Sequence, residues 1–152
     1  SIAINPGKAE LEHTQEIYRL APYWHILFIN EDEAALLTGK NTQDLELLAV
    51  SVQNFGSANT VITAGNRGAF LVSNESRLHC PASSKKPIEV TGAGDAFGSG
   101  LVSGLILGYD LTKSMQLASA NAEGVITQIG AKGGIITNDE FQASEKITIL
   151  NW

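Results

Sequence analysis

The chain has 152 residues, 43% of them hydrophobic and 17% charged, enough for a real apolar core in one domain but too short for two ordinary ones. A net charge of −6 and a sequence pI near 4.9 argue against nucleic acid or an anionic membrane surface as a partner, because either would attract a basic face. No apolar run approaches the ~18 residues of a transmembrane helix. The single cysteine, Cys80, excludes an internal disulfide and a thiolate metal cluster and points to a reducing, cytoplasmic compartment.

The elements alternate along the chain. Ile2-Ala3-Ile4-Asn5 reads as a strand tail closed by Pro6-Gly7, with no basic leader, cleavage pattern or initiator methionine before it, as expected of a piece of something longer. A helix is expected over about 8–20, with Leu11, Ile17 and Leu20 on one side, then a strand over about 25–29 and a short helix over about 31–38. A longer helix over about 42–55 carries Leu45, Leu48, Ala49 and Val52 at helical spacing. Strands follow near 59–64 and 69–73, separated by Gly65-Asn66-Arg67-Gly68, which reads as a tight turn and hairpin return. A looser β segment over about 76–90 precedes helices near 94–107 and 111–127 and a short one near 138–144. Strands alternating with helices predict an α/β fold: a doubly wound, mostly parallel sheet with helices on both faces and one local antiparallel hairpin.

Between the β segment and the first long C-terminal helix, Lys86-Pro87-Ile88-Glu89-Val90-Thr91 leads into Gly92-Ala93-Gly94-Asp95. This order makes a loop at a helix N-terminus, where unpaired N–H groups and the positive end of the helix dipole favour anions. Glycines at 92 and 94 let the backbone approach a phosphate, and Asp95 sits beside it in the first turn. A carboxylate there suits a general base that takes a proton from an attacking hydroxyl, which makes phosphoryl transfer to an alcohol the chemistry to test. Two plainer readings stand beside it. A dinucleotide fingerprint prefers the first strand of a βαβ unit and an acid some twenty positions on, and Lys113-Ser114-Met115-Gln116 offers none. Alternatively Asp95 only complements the helix dipole while the glycines serve packing.

The stretch Thr91-Gly92-Ala93-Gly94-Asp95-Ala96-Phe97-Gly98-Ser99-Gly100 resembles the C-terminal signature of the ribokinase-like carbohydrate kinases, the phosphofructokinase-B type family. Glu89-Val90 stands where the family pattern has Asp-Thr. The resemblance implies that Asp95 is the catalytic base and that the amides of Gly92, Ala93 and Gly94 form the anion hole. Asn30-Glu31-Asp32-Glu33 resembles the family's Asn-x-x-Glu motif, which places Asn30 at the nucleotide and Glu33 at Mg²⁺. The same residues also read as a capping box, and the two roles are compatible. Thr63, Gly65 and Gly68 match the family's Thr-x-Gly-x-x-Gly loop, which implies contact with the ATP phosphates. Arg67 in that loop reads as a solvated turn arginine.

Asn121, on a helix of small residues, matches a family position beside the adenine, although close helix packing or simple exposure explains it as well. The turn near Gly130 and Ala131 is implied to enclose the adenine and to share in a monovalent-cation (K⁺) site that draws on position 89. The resemblance spans residues 1–152 as a single partial domain, the nucleotide-binding and catalytic half. It implies that the acceptor-binding half and a β lid lie outside this chain, and that full-length chains pair as a homodimer. The expected function is ATP-dependent phosphoryl transfer to a hydroxyl of a sugar or sugar-like molecule. A nucleoside or hydroxymethyl-heterocycle kinase of the same fold, or a nucleotide-binding fragment without turnover, are the rivals.

Overall fold

The computed structural model describes residues 1–41, 43–130, 133–144 and 146–152, and they form two compact units, Ser1–His79 with Asn151–Trp152, and Cys80–Leu150. The α/β class expected from the alternation is what forms. Six strands, β1 (Ala3–Ile4), β2 (Ile26–Asn30), β3 (Asn59–Thr63), β4 (Ala69–Ser73), β5 (Arg77–Cys80) and β6 (Leu150–Asn151), lie in the order β1-β2-β3-β4-β5-β6. β2 pairs parallel with β1 and with β3, and β3 returns antiparallel as β4 through the Ala64–Gly68 turn. Successive strand side chains point to opposite faces, yet the first four residues of β2, β3 and β4 are all buried. These three strands are therefore covered on both faces, as near-continuous apolar strands require.

In the first unit the helices are α1 (Lys8–Leu11), α2 (Thr14–Leu20), α3 (Glu31–Thr38) and α4 (Leu45–Gln53). The single helix expected over 8–20 is broken at Glu12-His13, where the His13 N–H bonds Glu10 O at 3.0 Å. In an unbroken helix Leu11 and Ile17 would lie about 120° apart around the axis. The break lets both enter the core, at 1% and 4% exposure, while Leu20 is left 44% exposed. α4 starts at Leu45 because the Asp44 side chain accepts from the Leu47 N–H at 2.9 Å, and the expected start at 42 lies outside the described residues. Leu27 and Ile29 of β2, Ile62 of β3, Phe70 and Val72 of β4, and Leu48 and Val52 of α4 form the centre of this core. Burying each such side chain stabilises the fold by about 1.5–3 kcal/mol.

The second unit is built on an antiparallel pair, α5 (Ala93–Ile106) and α6 (Leu111–Ile126). Their backbones nearly touch: a Cβ on Gly100 would fall 2.8 Å from Ala118 Cα, and one on Gly104 would fall 2.8 Å from Ser114 Cα. Small residues at these crossings are thus a steric requirement. Asp110 caps α6 by accepting from the Lys113 N–H at 2.7 Å. A short last helix, α7 (Asn138–Ala143), opens on a Thr137/Glu140 capping box and buries Phe141 completely. Of the β segment expected over 76–90, only 77–80 is strand; the chain then runs irregularly, held by Lys85 to Glu123 at 2.7 Å and by the Ile88 N–H to Ile126 O at 2.7 Å.

Candidate active site

The N-terminus of α5 has the makings of an anion site. Gly92, its N-cap, takes a left-handed conformation (φ 82°), which a side chain would oppose and which turns the chain into the helix. The Ala93 N–H is spent on Val90 O at 3.2 Å, and the first intrahelical bond runs from the Ala96 N–H to Gly92 O at 2.8 Å. Among the described residues no backbone acceptor takes the N–H groups of Gly94 or Asp95. These two donors, at the positive end of a helix of 14 residues, are available to an anion. Nothing lies within 4 Å of where a Gly94 Cβ would be, so the approach is open. The Asp95 carboxylate is exposed at the same place. Of the Gly92-Ala93-Gly94 triplet expected from the sequence, only the Ala93 amide is spent within the described chain, and the Asp95 N–H adds a further available donor.

Around this loop, Glu89 accepts from the Gly130 N–H at 2.9 Å. That bond first, and the Thr91 hydroxyl second, hold its carboxyl below the ordinary glutamate value of 4.5. Burial pushes the Glu123 carboxyl up, but Lys85 and Ser83 outweigh it and leave the group lowered. Asn121 is neither exposed nor idle. It is 5% exposed, its amide donates to Ala96 O at 2.8 Å, and its carbonyl accepts from the Ile136 N–H at 3.2 Å. It joins α6 to α5 on one side and to the segment before α7 on the other. That segment also crosses α6 closely, since a Cβ on Gly124 would fall 2.0 Å from Gly134 O. Ala131 lies outside the described residues.

In the first unit the register brings two expected residues together. Asn30 and Thr63 are partners at the carboxyl ends of the parallel strands β2 and β3, the end at which ligands collect in open α/β sheets. Asn30 also caps α3: its Oδ1 accepts from the Glu33 N–H at 2.9 Å, and its own N–H donates to Glu33 Oε2 at 2.8 Å. The capping box is complete. One Glu33 oxygen is used in it, which leaves the other as a hard donor. Among the described residues no cluster of three His, Cys, Asp or Glu side chains could cage a metal. A single carboxylate oxygen fits an ion such as Mg²⁺, which keeps most of its waters.

Gly65 and Gly68 bracket a 3-10 turn (Gly65–Arg67) that follows Thr63. Gly68 has φ 84° and ψ −142°, a region closed to other residues. Arg67 differs from the solvated arginine expected: its guanidinium pairs with Glu31 and donates to Gln43 O at 3.2 Å. Sequence reasoning gave this residue no structural task; the acidic triplet Glu31-Asp32-Glu33 was the available hint of a partner.

Comparison with known proteins places these features in a family. The pattern of the pfkB family carbohydrate kinases matches residues 5–138. Ribokinase of Bacillus subtilis is 30% identical over 141 residues, 93% of this chain and 45% of that protein. The fold is shared with a putative ribokinase II from E. coli solved in complex with ATP and Mg²⁺ (TM-score 0.77, 24% identity, 93% of this chain and 47% of that one). It is shared too with aminoimidazole riboside kinase from Salmonella enterica, complexed with aminoimidazole riboside and an ATP analogue (TM-score 0.74, 27% identity, 90% and 47%). The chain spans less than half the length of the curated relatives it matches. Since the family match runs through both units and takes in Asn30, Thr63, Gly92–Asp95 and Asn121, the chain belongs to the pfkB family of carbohydrate kinases.

Proposed function

We propose that this chain is the nucleotide-binding and catalytic half of an ATP-dependent kinase that phosphorylates a hydroxyl of a sugar or sugar-like small molecule. The observation that carries this reading is the start of α5, where two available N–H groups, an open approach at Gly94 and the exposed Asp95 carboxylate occur together. Asp95 takes the proton of the acceptor hydroxyl as its oxygen bonds to the γ-phosphorus. The bond from that phosphorus to the β–γ bridging oxygen breaks, and ADP leaves with the electron pair. The Gly94 and Asp95 amides, fixed by the Gly92 turn, stabilise charge on the transferring group. In the first unit, Thr63, Gly65 and Gly68 would contact the ATP phosphates, as the family resemblance implies, and Asn30 orients Glu33. When bound through Glu33 and water, Mg²⁺ supplies neutralisation of the phosphate charge. Asn121, whose amide is engaged within its unit, acts on the adenine through the Ile136 segment that it holds.

The complex of the Salmonella relative with a riboside favours a nucleoside-like acceptor as the second reading. A monovalent cation beside Glu89 would share that carboxylate with the Gly130 N–H. As part of the same proposal the whole protein works in the cytoplasm and pairs as a homodimer; the free thiol of Cys80 suits a reducing compartment.

The test has two arms. Calorimetric titration of Mg-ATP into the purified chain should show saturable binding that Gly94→Val abolishes. In the complete protein, Asp95→Asn should lower kcat by about 10²–10⁴-fold with Mg-ATP affinity retained. Turnover near wild type in Asp95→Asn would falsify the assignment of the base.

A further inference from the structure

The turn that follows Thr63 is closed by three backbone hydrogen bonds of its own. Its own bonds are Ala64 N–H to Gly68 O (2.8 Å), Arg67 N–H to Ala64 O (3.0 Å) and Gly68 N–H to Gly65 O (3.0 Å). Arg67 reaches three other segments of the chain. Its guanidinium pairs with Glu31 in the first turn of α3 through Nη2 and donates to Gln43 O, before α4, through Nη1 at 3.2 Å. Its carbonyl lies 2.9 Å from His79 Nε2 of β5, and the His79 ring is stacked on Phe70 of β4 with centroids 4.2 Å apart. Two divergent N–H arms are needed to reach Glu31 and Gln43 together, which a lysine lacks.

Charge gives the same residue a second task. The first turn of α3 carries Glu31, Asp32 and Glu33. Three carboxylates suit the helix dipole but repel a polyphosphate arriving at the same strand ends. Among the described residues, the pair with Arg67 is the only ion pair this triplet makes. It cancels Glu31, which points at the turn, and leaves Glu33 to its capping box.

We propose that Arg67 is a positioning residue for nucleotide binding: it locks the Gly65–Gly68 turn onto the first turn of α3 and removes the charge of Glu31 from the approach of the phosphates. The lock is independent of the enzyme's activity, whereas its consequence for nucleotide rests on the kinase reading above.

The test uses this chain and four variants, Arg67→Ala, Arg67→Lys, Glu31→Gln and the double Arg67→Ala/Glu31→Gln. Amide exchange at Ala64 and Gly68 reports the lock, and calorimetry with Mg-ADP and with AMP reports the charge. For a half-exposed pair, Arg67→Ala should speed exchange at both amides about threefold, and Glu31→Gln added to it should speed it no further. Mg-ADP should weaken by about three- to tenfold in Arg67→Ala with AMP changed less than about twofold; Arg67→Lys, which keeps charge but not both arms, should recover the ADP preference and not the exchange protection. The double variant should regain part of the ADP affinity.

Unchanged exchange in Arg67→Ala, or singles that add fully in the double, would overturn the lock. Equal weakening of ADP and AMP would overturn the charge role. If the wild-type chain binds neither nucleotide, the kinase reading fails while the exchange results still decide the lock. Glu31→Gln, nearly isosteric, keeps the exchange comparison usable should Arg67→Ala not fold.

Discussion

The carboxylate of Glu89 accepts a hydrogen bond from the Gly130 N–H at 2.9 Å, joining the segment that leads into α5 to the turn that follows α6. Because the Gly130 N–H and then the Thr91 hydroxyl lower its folded pKa below 4.5, the contact stabilises the folded state fully above the ordinary glutamate pKa. That contribution is lost as pH falls through the lowered value. Glu140, lowered by the Thr137 N–H and hydroxyl, behaves in the same sense. The Gly130 amide resonance should therefore titrate with a midpoint below 4.5 in an acid titration followed by NMR, and Glu89→Gln should abolish that titration. A flat wild-type profile would remove the bond from solution.

Two glycines of the second unit should respond in opposite ways. A Cβ at Gly94 meets nothing within 4 Å, so Gly94→Val should change the unfolding free energy by less than about 1 kcal/mol while blocking the anion site. At Gly124 a Cβ would fall 2.0 Å from Gly134 O, so Gly124→Ala must push two backbones apart and should cost about 1–3 kcal/mol. Urea denaturation of the two variants separates the roles; equal stabilities would contradict the close crossing.

Asn121 uses its amide as donor to Ala96 O and as acceptor from Ile136 N–H in a buried setting. Asn121→Ala should lose about 1–3 kcal/mol. Asn121→Asp should lose more, since it replaces the donor facing Ala96 O by a buried carboxylate oxygen. A stability order in denaturation with Asp above Ala would count against this geometry.

Burial pushes the Cys80 thiol up to about 11, against a small opposing contribution from Ser119. Near pH 8 only about one thiol in a thousand is then ionised, and the thiolate is the reactive form. Iodoacetamide should modify the folded chain very slowly and the urea-unfolded chain readily. Fast labelling of the folded chain would show that the second unit opens around β5 far more often than its packing implies.

Much of the candidate site was legible because its parts are local. The Asn30-x-x-Glu33 capping box depends on groups three residues apart on one helical turn, and it formed as read. Gly92 before a long apolar helix likewise announces a turn into α5, because only the backbone of a few residues is involved. What the pattern could not show was how each local device was used. Helical spacing alone did not reveal the break at Glu12-His13, since only the core decides that Leu11 and Ile17 must both enter it. Nor did the motif show that the Ala93 N–H is consumed by Val90 O, leaving the donors of Gly94 and Asp95.

By itself, then, the sequence determined the α/β alternation, the caps and the glycine turns, because these follow from backbone conformation and contacts within a turn of chain. Only the tertiary structure decided that Arg67 answers Glu31 across 36 residues, that Glu89 answers Gly130 across 41, and that Asn121 turns inward. Such pairings have no spacing rule of their own. They depend on strand register and on how closely two helices approach, and those are set by the packing of the whole unit rather than by the residues that make the bond.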